Sequence, residues 1–86
     1  MIVITTKRFD KQFKKLSPRI QNEFAKRISL FLLDRNNPLL NTHKLTGRLK
    51  DLHSFNLSGD IRVLCDLSVD DKVLLIAIGS HSELYG

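Results

Sequence analysis

The spacing of apolar residues changes along this chain, and the changes divide it into elements. Ile2 to Thr5 is a short β-branched run that predicts an opening strand, with Thr5 or Thr6 placed to cap the next element. Phe9, Phe13 and Leu16 then recur at helical spacing, while Lys7, Arg8, Lys11, Lys14 and Lys15 fill the positions between them. One face of that helix is core and the rest is strongly basic. Ser17-Pro18 ends it and starts a second helix, because serine favours the N-cap and proline the first helical position. Ile20, Phe24, Ile28, Phe31 and Leu32 form the buried stripe of the second helix, which Asn36-Asn37-Pro38 stops. The two helices make a hairpin.

Beyond a loop the apolar spacing becomes alternating. Leu52 to Leu57 predicts a strand, Ser58-Gly59 a tight turn, Ile61 to Val69 a second strand, Asp70-Asp71 another turn, and Val73 to Ser80 a third strand. The expected order is β-α-α-β-β-β, an α+β fold. Its N-terminal strand and helical hairpin belong to a mainly antiparallel sheet, with the hairpin packed on one face and the other face open. An open sheet face is a binding surface by default.

Composition narrows the classes. A chain of 86 residues with 42% apolar content, four Gly and two Pro packs one modest core, so residues 1–86 are expected to form a single domain. The lone cysteine, Cys65, sits within an apolar alternation and rules out a disulfide framework or a zinc finger. The opening residues lack a basic n-region, and no run approaches the roughly 20 apolar residues that span a bilayer. A cytoplasmic protein without a membrane partner is expected. Fourteen Lys and Arg against nine Asp and Glu leave a formal charge of +5, which suits a polyanionic partner.

Parity along the second sheet strand separates Ile61, Val63, Cys65 and Leu67 from Asp60, Arg62, Leu64 and Asp66, which places Arg62 on the open face. On the preceding strand Leu52, Ser54 and Asn56 share one parity and His53, Phe55 and Leu57 the other. Which of these sets faces the helices is ambiguous, since Phe55 and Leu57 suit a core and His53 does not. His43 enters from the loop, and His81 and Tyr85 stand four residues apart just past the last strand. The candidate cluster is His43, Asp60, Arg62, His81 and Tyr85. Each member also has an ordinary reading. A loop histidine is most often on the surface, a strand arginine is usually solvated, and an aspartate beside Ser58-Gly59 is as expected in a turn as in a site.

The cluster fits RNA chemistry. Internal attack of a 2′-hydroxyl on its phosphodiester needs a base, an acid for the departing 5′ oxygen, and a cation to stabilise the phosphorane. Histidine suits the first two roles and arginine the third. Asp60 suits the base role or orients a histidine, and Tyr85 donates a proton or stacks on a nucleobase. This chemistry needs neither a metal nor a cofactor.

Three segments carry a resemblance. His43-Lys44-Leu45-Thr46-Gly47-Arg48-Leu49-Lys50-Asp51-Leu52, Leu57-Ser58-Gly59-Asp60-Ile61-Arg62-Val63-Leu64 and Ile78-Gly79-Ser80-His81-Ser82-Glu83-Leu84-Tyr85 resemble the RelE/ParE superfamily of bacterial toxins, in its YafQ-like branch. The resemblance covers the whole chain. It implies a type II toxin, a ribosome-dependent endoribonuclease that cuts translated mRNA, held inactive by a cognate antitoxin and reaching operator DNA through that complex. His43 and His81 match the family's catalytic histidines, Asp60 its aspartate, Tyr85 its terminal aromatic and Arg62 its strand arginine. Lys11, Lys14, Lys15, Lys44, Arg48 and Lys50 are the expected RNA and ribosome contacts. Asn56 stands where YafQ-like relatives often carry another histidine, with His53 three residues earlier. Two readings from other classes stay open: a ParE-like toxin that poisons gyrase by binding, and an inactive module that binds antitoxin and operator DNA.

Overall fold

The computed structural model describes residues 1–45 and 52–85. Arg48 and Lys50 therefore lie outside the described residues. Eight elements run in chain order: β1 (Ile2–Thr5), α1 (Lys7–Lys14), α2 (Pro18–Leu33), β2 (His43–Lys44), β3 (His53–Ser58), β4 (Ile61–Asp66), β5 (Lys72–Ser80) and α3 (His81–Tyr85). The strands form one five-stranded sheet in the order β1-β5-β4-β3-β2. β1 runs parallel to β5 and every other pairing is antiparallel. The sheet is therefore mixed.

The helix caps are those the sequence predicts. The Thr6 hydroxyl accepts the Phe9 N–H at 3.1 Å and donates to the Ile76 carbonyl at 2.6 Å, so one side chain starts α1 and ties it to β5. Ser17 caps α2, with proline at its first turn. Gln12 on α1 also reaches the sheet, where its Oε1 accepts the Ile78 N–H at 3.0 Å. These bonds fall where β5 carries an irregularity: Cys65 pairs with Leu75 and Leu64 with Ala77, leaving Ile76 as an extra residue. Past the end of β1, side chains of α1 satisfy the backbone of β5.

Directly paired residues share a face, so the register sorts the side chains. Val63, Cys65, Val73, Leu75 and Ile78 join Phe55 and Leu57 against Phe9, Phe31 and Leu40, with Phe13, Leu16, Ile20, Phe24 and Ile28 packed around them. Five phenylalanines meet there in stacked and tilted pairs, Phe31 on Phe55 at 4.6 Å and Phe13 on Phe24 at 5.2 Å. Burial pushes the Cys65 thiol up to about 12, which makes it an inert core side chain at neutral pH.

Four expectations need correction. Leu32 is exposed and Leu30 packs on the core instead, because the stripe Ile20, Phe24, Phe31 turns away from position 32. The second sheet strand ends at Asp66 rather than Val69, since the Asp66 carboxylate accepts the Ser68 N–H at 2.8 Å and turns the chain. The hairpin turn is Gly59-Asp60, with Gly59 at φ 53°. The far face of the sheet is not fully open. Leu84 of α3 covers Leu64 and Ala77 there, joined by Leu45, Leu52, Ile76 and Tyr85.

Candidate active site

Four rows of the sheet position the candidate residues. Asn56, Arg62 and Gly79 are opposed in one row, and Ile61 pairs with Ser80 in the next. Asp60 and His81 are the residues just beyond that pair, at the same end of the sheet. His43 pairs with Ser54, which pairs with Leu64 and so with Ala77, placing His43 on the face away from α1 and α2. It stands two strand spacings, about 10 Å, from the strand of Arg62. A fourth row, Lys44, His53, Cys65 and Leu75, belongs to the helix side. His53 therefore does not join the candidate cluster.

Arg62 is held rather than solvated. Its Nη1 donates to Asn56 Oδ1 at 2.8 Å, while its Nε is buried without a hydrogen-bond partner among the described residues. The Tyr85 hydroxyl and the Ser54 hydroxyl are likewise buried and unpartnered there. Unpaired buried donors are costly, about 1–3 kcal/mol each, and native folds keep them for a reason. Three such groups on one face suit an anion that accepts hydrogen bonds.

His81 and Tyr85 are presented by α3 and not by a strand end. Ser80 accepts the Glu83 N–H through its hydroxyl at 3.2 Å, and Glu83 Oε1 accepts the Ser80 N–H at 2.8 Å. This reciprocal pair is a capping box, and it starts the five-residue helix directly off β5. The His81 and Tyr85 rings meet edge to face at 4.7 Å, one helical turn apart. The Ser80 N–H and hydroxyl, and then the Lys15 charge, hold the Glu83 carboxyl below its usual range.

His43 has a defined tautomer. Its Nδ1 lies 2.9 Å from the Asn41 carbonyl, so Nδ1 carries the hydrogen and Nε2 of the neutral ring is left as an acceptor. Asp60 is exposed in the turn. Lys11 and Lys14 are exposed on α1, as is Lys44 on the edge strand. The structure thus sets Arg62 opposite Gly79, two residues before the paired His81 and Tyr85 rings, puts Asp60 at that end of the sheet, and keeps His43 on the same face at its edge. Among the described residues no three His, Cys, Asp or Glu side chains are grouped to hold a metal ion.

Two features of the site are not part of the sequence reading. The Asn56 partnership with Arg62 depends on a bulge at Leu57, which no residue type announces. The capping box Ser80-x-x-Glu83 is a signal the chain does carry, but the apolar run before it points to a strand that simply ends.

Solved structures with this architecture include several toxins. A copper-bound mutant toxin from Helicobacter pylori is 26% identical, with a TM-score of 0.75 over 99% of each chain. A YoeB/ParE toxin from Agrobacterium tumefaciens is 14% identical, with a TM-score of 0.80 over 94% of this chain and 99% of that one. The E. coli DinJ-YafQ toxin-antitoxin complex contains a chain 20% identical, with a TM-score of 0.75 over 98% of this chain and 96% of that one. No family model matches the sequence, and no curated protein does.

Proposed function

The fold is that of RelE/ParE-superfamily toxins, and from that premise we propose that the chain is the toxin of a toxin-antitoxin pair and acts as a ribosome-dependent endoribonuclease on translated mRNA. The observation that carries this reading is the Arg62 guanidinium, fixed by Asn56 with its Nε meeting no acceptor among the described residues, on the same face as the His81-Tyr85 pair. A scissile phosphate supplies the missing acceptor. The 2′-oxygen attacks phosphorus, the bond to the 5′ oxygen breaks, and a cyclic phosphate and a free 5′-hydroxyl result. His43 and His81 share the base and acid roles, with Asp60 as the other candidate base, and Arg62 stabilises the charge on the phosphorane. Tyr85 braces the His81 ring and offers a stacking surface to a nucleobase.

The proposed partners are the ribosome and its mRNA, together with a cognate antitoxin like those in the neighbouring toxin-antitoxin complexes. Lys11, Lys14, Lys15 and Lys44 would meet RNA phosphates. Inducing the chain in bacteria without an antitoxin, and mapping new 5′ ends on translated and untranslated copies of one mRNA, tests the reading. Cuts restricted to the translated copy, at a fixed place within codons, are expected. Growth arrest without new ends would replace it with a gyrase-type target, and absence of arrest would leave a binding module.

A further inference from the structure

His53 and Lys44 are neighbours in one row of the sheet, and that row lies on the side opposite Arg62. Together with Asp66, Leu67 and Ser68 they line a cavity of about 440 Å³ at the end of the sheet where β3 begins and β4 ends. Nothing in the proposed cleavage reaction uses it. Its chemistry is nevertheless pronounced. His53 Nδ1 is buried with no partner among the described residues, an environment that favours the neutral tautomer with its hydrogen on Nε2, as a donor. Burial first, then the charges of Arg35 and Lys44 and more weakly of His43, hold the His53 pKa below its usual value, against the opposing pull of Asp66. Arg35 itself rests over the Phe31 ring at 5.8 Å. Asp66 is the acid of the group, and its carboxylate is already engaged by the Ser68 N–H. Among the lining residues Lys44 is the cation opposite this acid, and the Arg35 charge acts on His53 from outside the cavity.

The edge strand links this cavity to the candidate active site. β2 is two residues long, and successive strand residues point to opposite faces, so His43 belongs to the Arg62 face while Lys44 belongs to the His53 face. A polyanionic strand crossing this edge meets both. We propose that the cavity lined by Lys44, His53, Asp66 and Ser68 is a second phosphate subsite, which binds the backbone of an RNA strand as it passes around the β2 edge. Lys44 and the His53 Nε2 donor hold a phosphodiester oxygen, and Asp66 limits the site to one phosphate. The proposal rests on the reading of this chain as an RNA-binding toxin, but not on its cleavage chemistry.

A short single-stranded RNA with 2′-O-methyl groups, which cannot be cut through a 2′-hydroxyl, tests it by NMR on the intact chain. The His53 ring proton is expected to shift on RNA addition and to titrate at higher pH in the complex, because a bound phosphate favours the imidazolium. Lys44→Gln should weaken RNA binding about fivefold to tenfold and reduce the slope of log affinity against log salt by about one. Asp66→Asn should tighten binding, an effect that a merely structural role for the carboxylate would not produce. The His53 response should persist in His81→Ala, so a failed subsite and a failed cleavage reading are told apart. A His53 ring indifferent to RNA, or affinity unchanged in both Lys44→Gln and Asp66→Asn, overturns the proposal. A His53 shift with a polyglutamate peptide but not with RNA overturns it in favour of a protein partner.

Discussion

The two faces of this sheet are built on different physics. On the side of α1 and α2, Phe31, Phe55, Leu57, Val63 and Val73 are excluded from solvent and packed against aromatic rings. On the other side, among the described residues, Leu64, Ala77 and Leu84 form a smaller buried apolar group, and the same surface carries buried polar groups of Arg62, Tyr85 and Ser54 with no partner there. The first face holds the fold together. The second face keeps hydrogen-bonding capacity that the described residues do not use, and a ligand can recover it.

Substitutions on the two faces should therefore have opposite consequences for stability and for activity. Phe55→Ala should cost about 3–5 kcal/mol of unfolding free energy, read from denaturant titration, which is most of what a domain of this size has to lose. Under the proposed function, toxicity would fall with it only because the protein unfolds. Arg62→Ala and His81→Ala should leave the denaturation midpoint within error while lowering the proposed cleavage by the equivalent of about 2–4 kcal/mol, read as single-turnover rates on ribosome-bound mRNA. Unfolding in the second pair, or residual cutting in a folded Arg62→Ala chain at the parent rate, would erase the division of labour.

Smaller effects locate where the faces join. An added methyl at Gly79 would sit 3.1 Å from Glu83 Oε1, close enough to push the carboxylate off the Ser80 N–H. Gly79→Ala and Ser80→Ala should each cost the α3 segment about 1 kcal/mol, seen as faster amide exchange over His81–Tyr85 with Val63 and Leu75 unchanged. Acid acts on the same cap. The folded-state pKa of Glu83 lies below the ordinary 4.5, so its contribution is complete above that value and is lost as the pH falls through it and lower. Exchange protection of α3 should decline in that window, and Glu83→Gln should flatten the decline.

Much of the helix-side face is legible in the sequence, because burial there follows periodicity. Phe9, Phe13, Ile20, Phe24 and Phe31 repeat at helical spacing, and Thr6 and Ser17-Pro18 mark where the helices start. The other face resists for local reasons. A two-residue turn at Gly59-Asp60 pairs Ser58 with Ile61 and on a regular ladder would set Leu57 against Arg62; the bulge puts Asn56 there instead. That single extra residue sends Leu57 into the core and gives Arg62 its amide partner. β2 is too short to leave an alternating pattern, and the parallel partnership of β1 with β5 is a long-range choice that no local signal encodes. Of the candidate cluster, parity already sets Arg62 on the face away from the helices, whereas the separation of His53 from that face emerges only from the register.

The outer edges of the sheet remain. β1 offers Ile2, Val3 and Ile4 to solvent at 57, 39 and 42% exposure, with no charge or proline to discourage another strand from docking. Its length answers the hazard. β1 spans four residues and β2 only two, while the stretch of β5 beyond β1 is occupied by Thr6 and Gln12. An incoming strand can therefore form only a brief ladder at either margin, too few hydrogen bonds to propagate a stack of molecules. The sheet resists open-ended polymerisation by brevity rather than by repulsion.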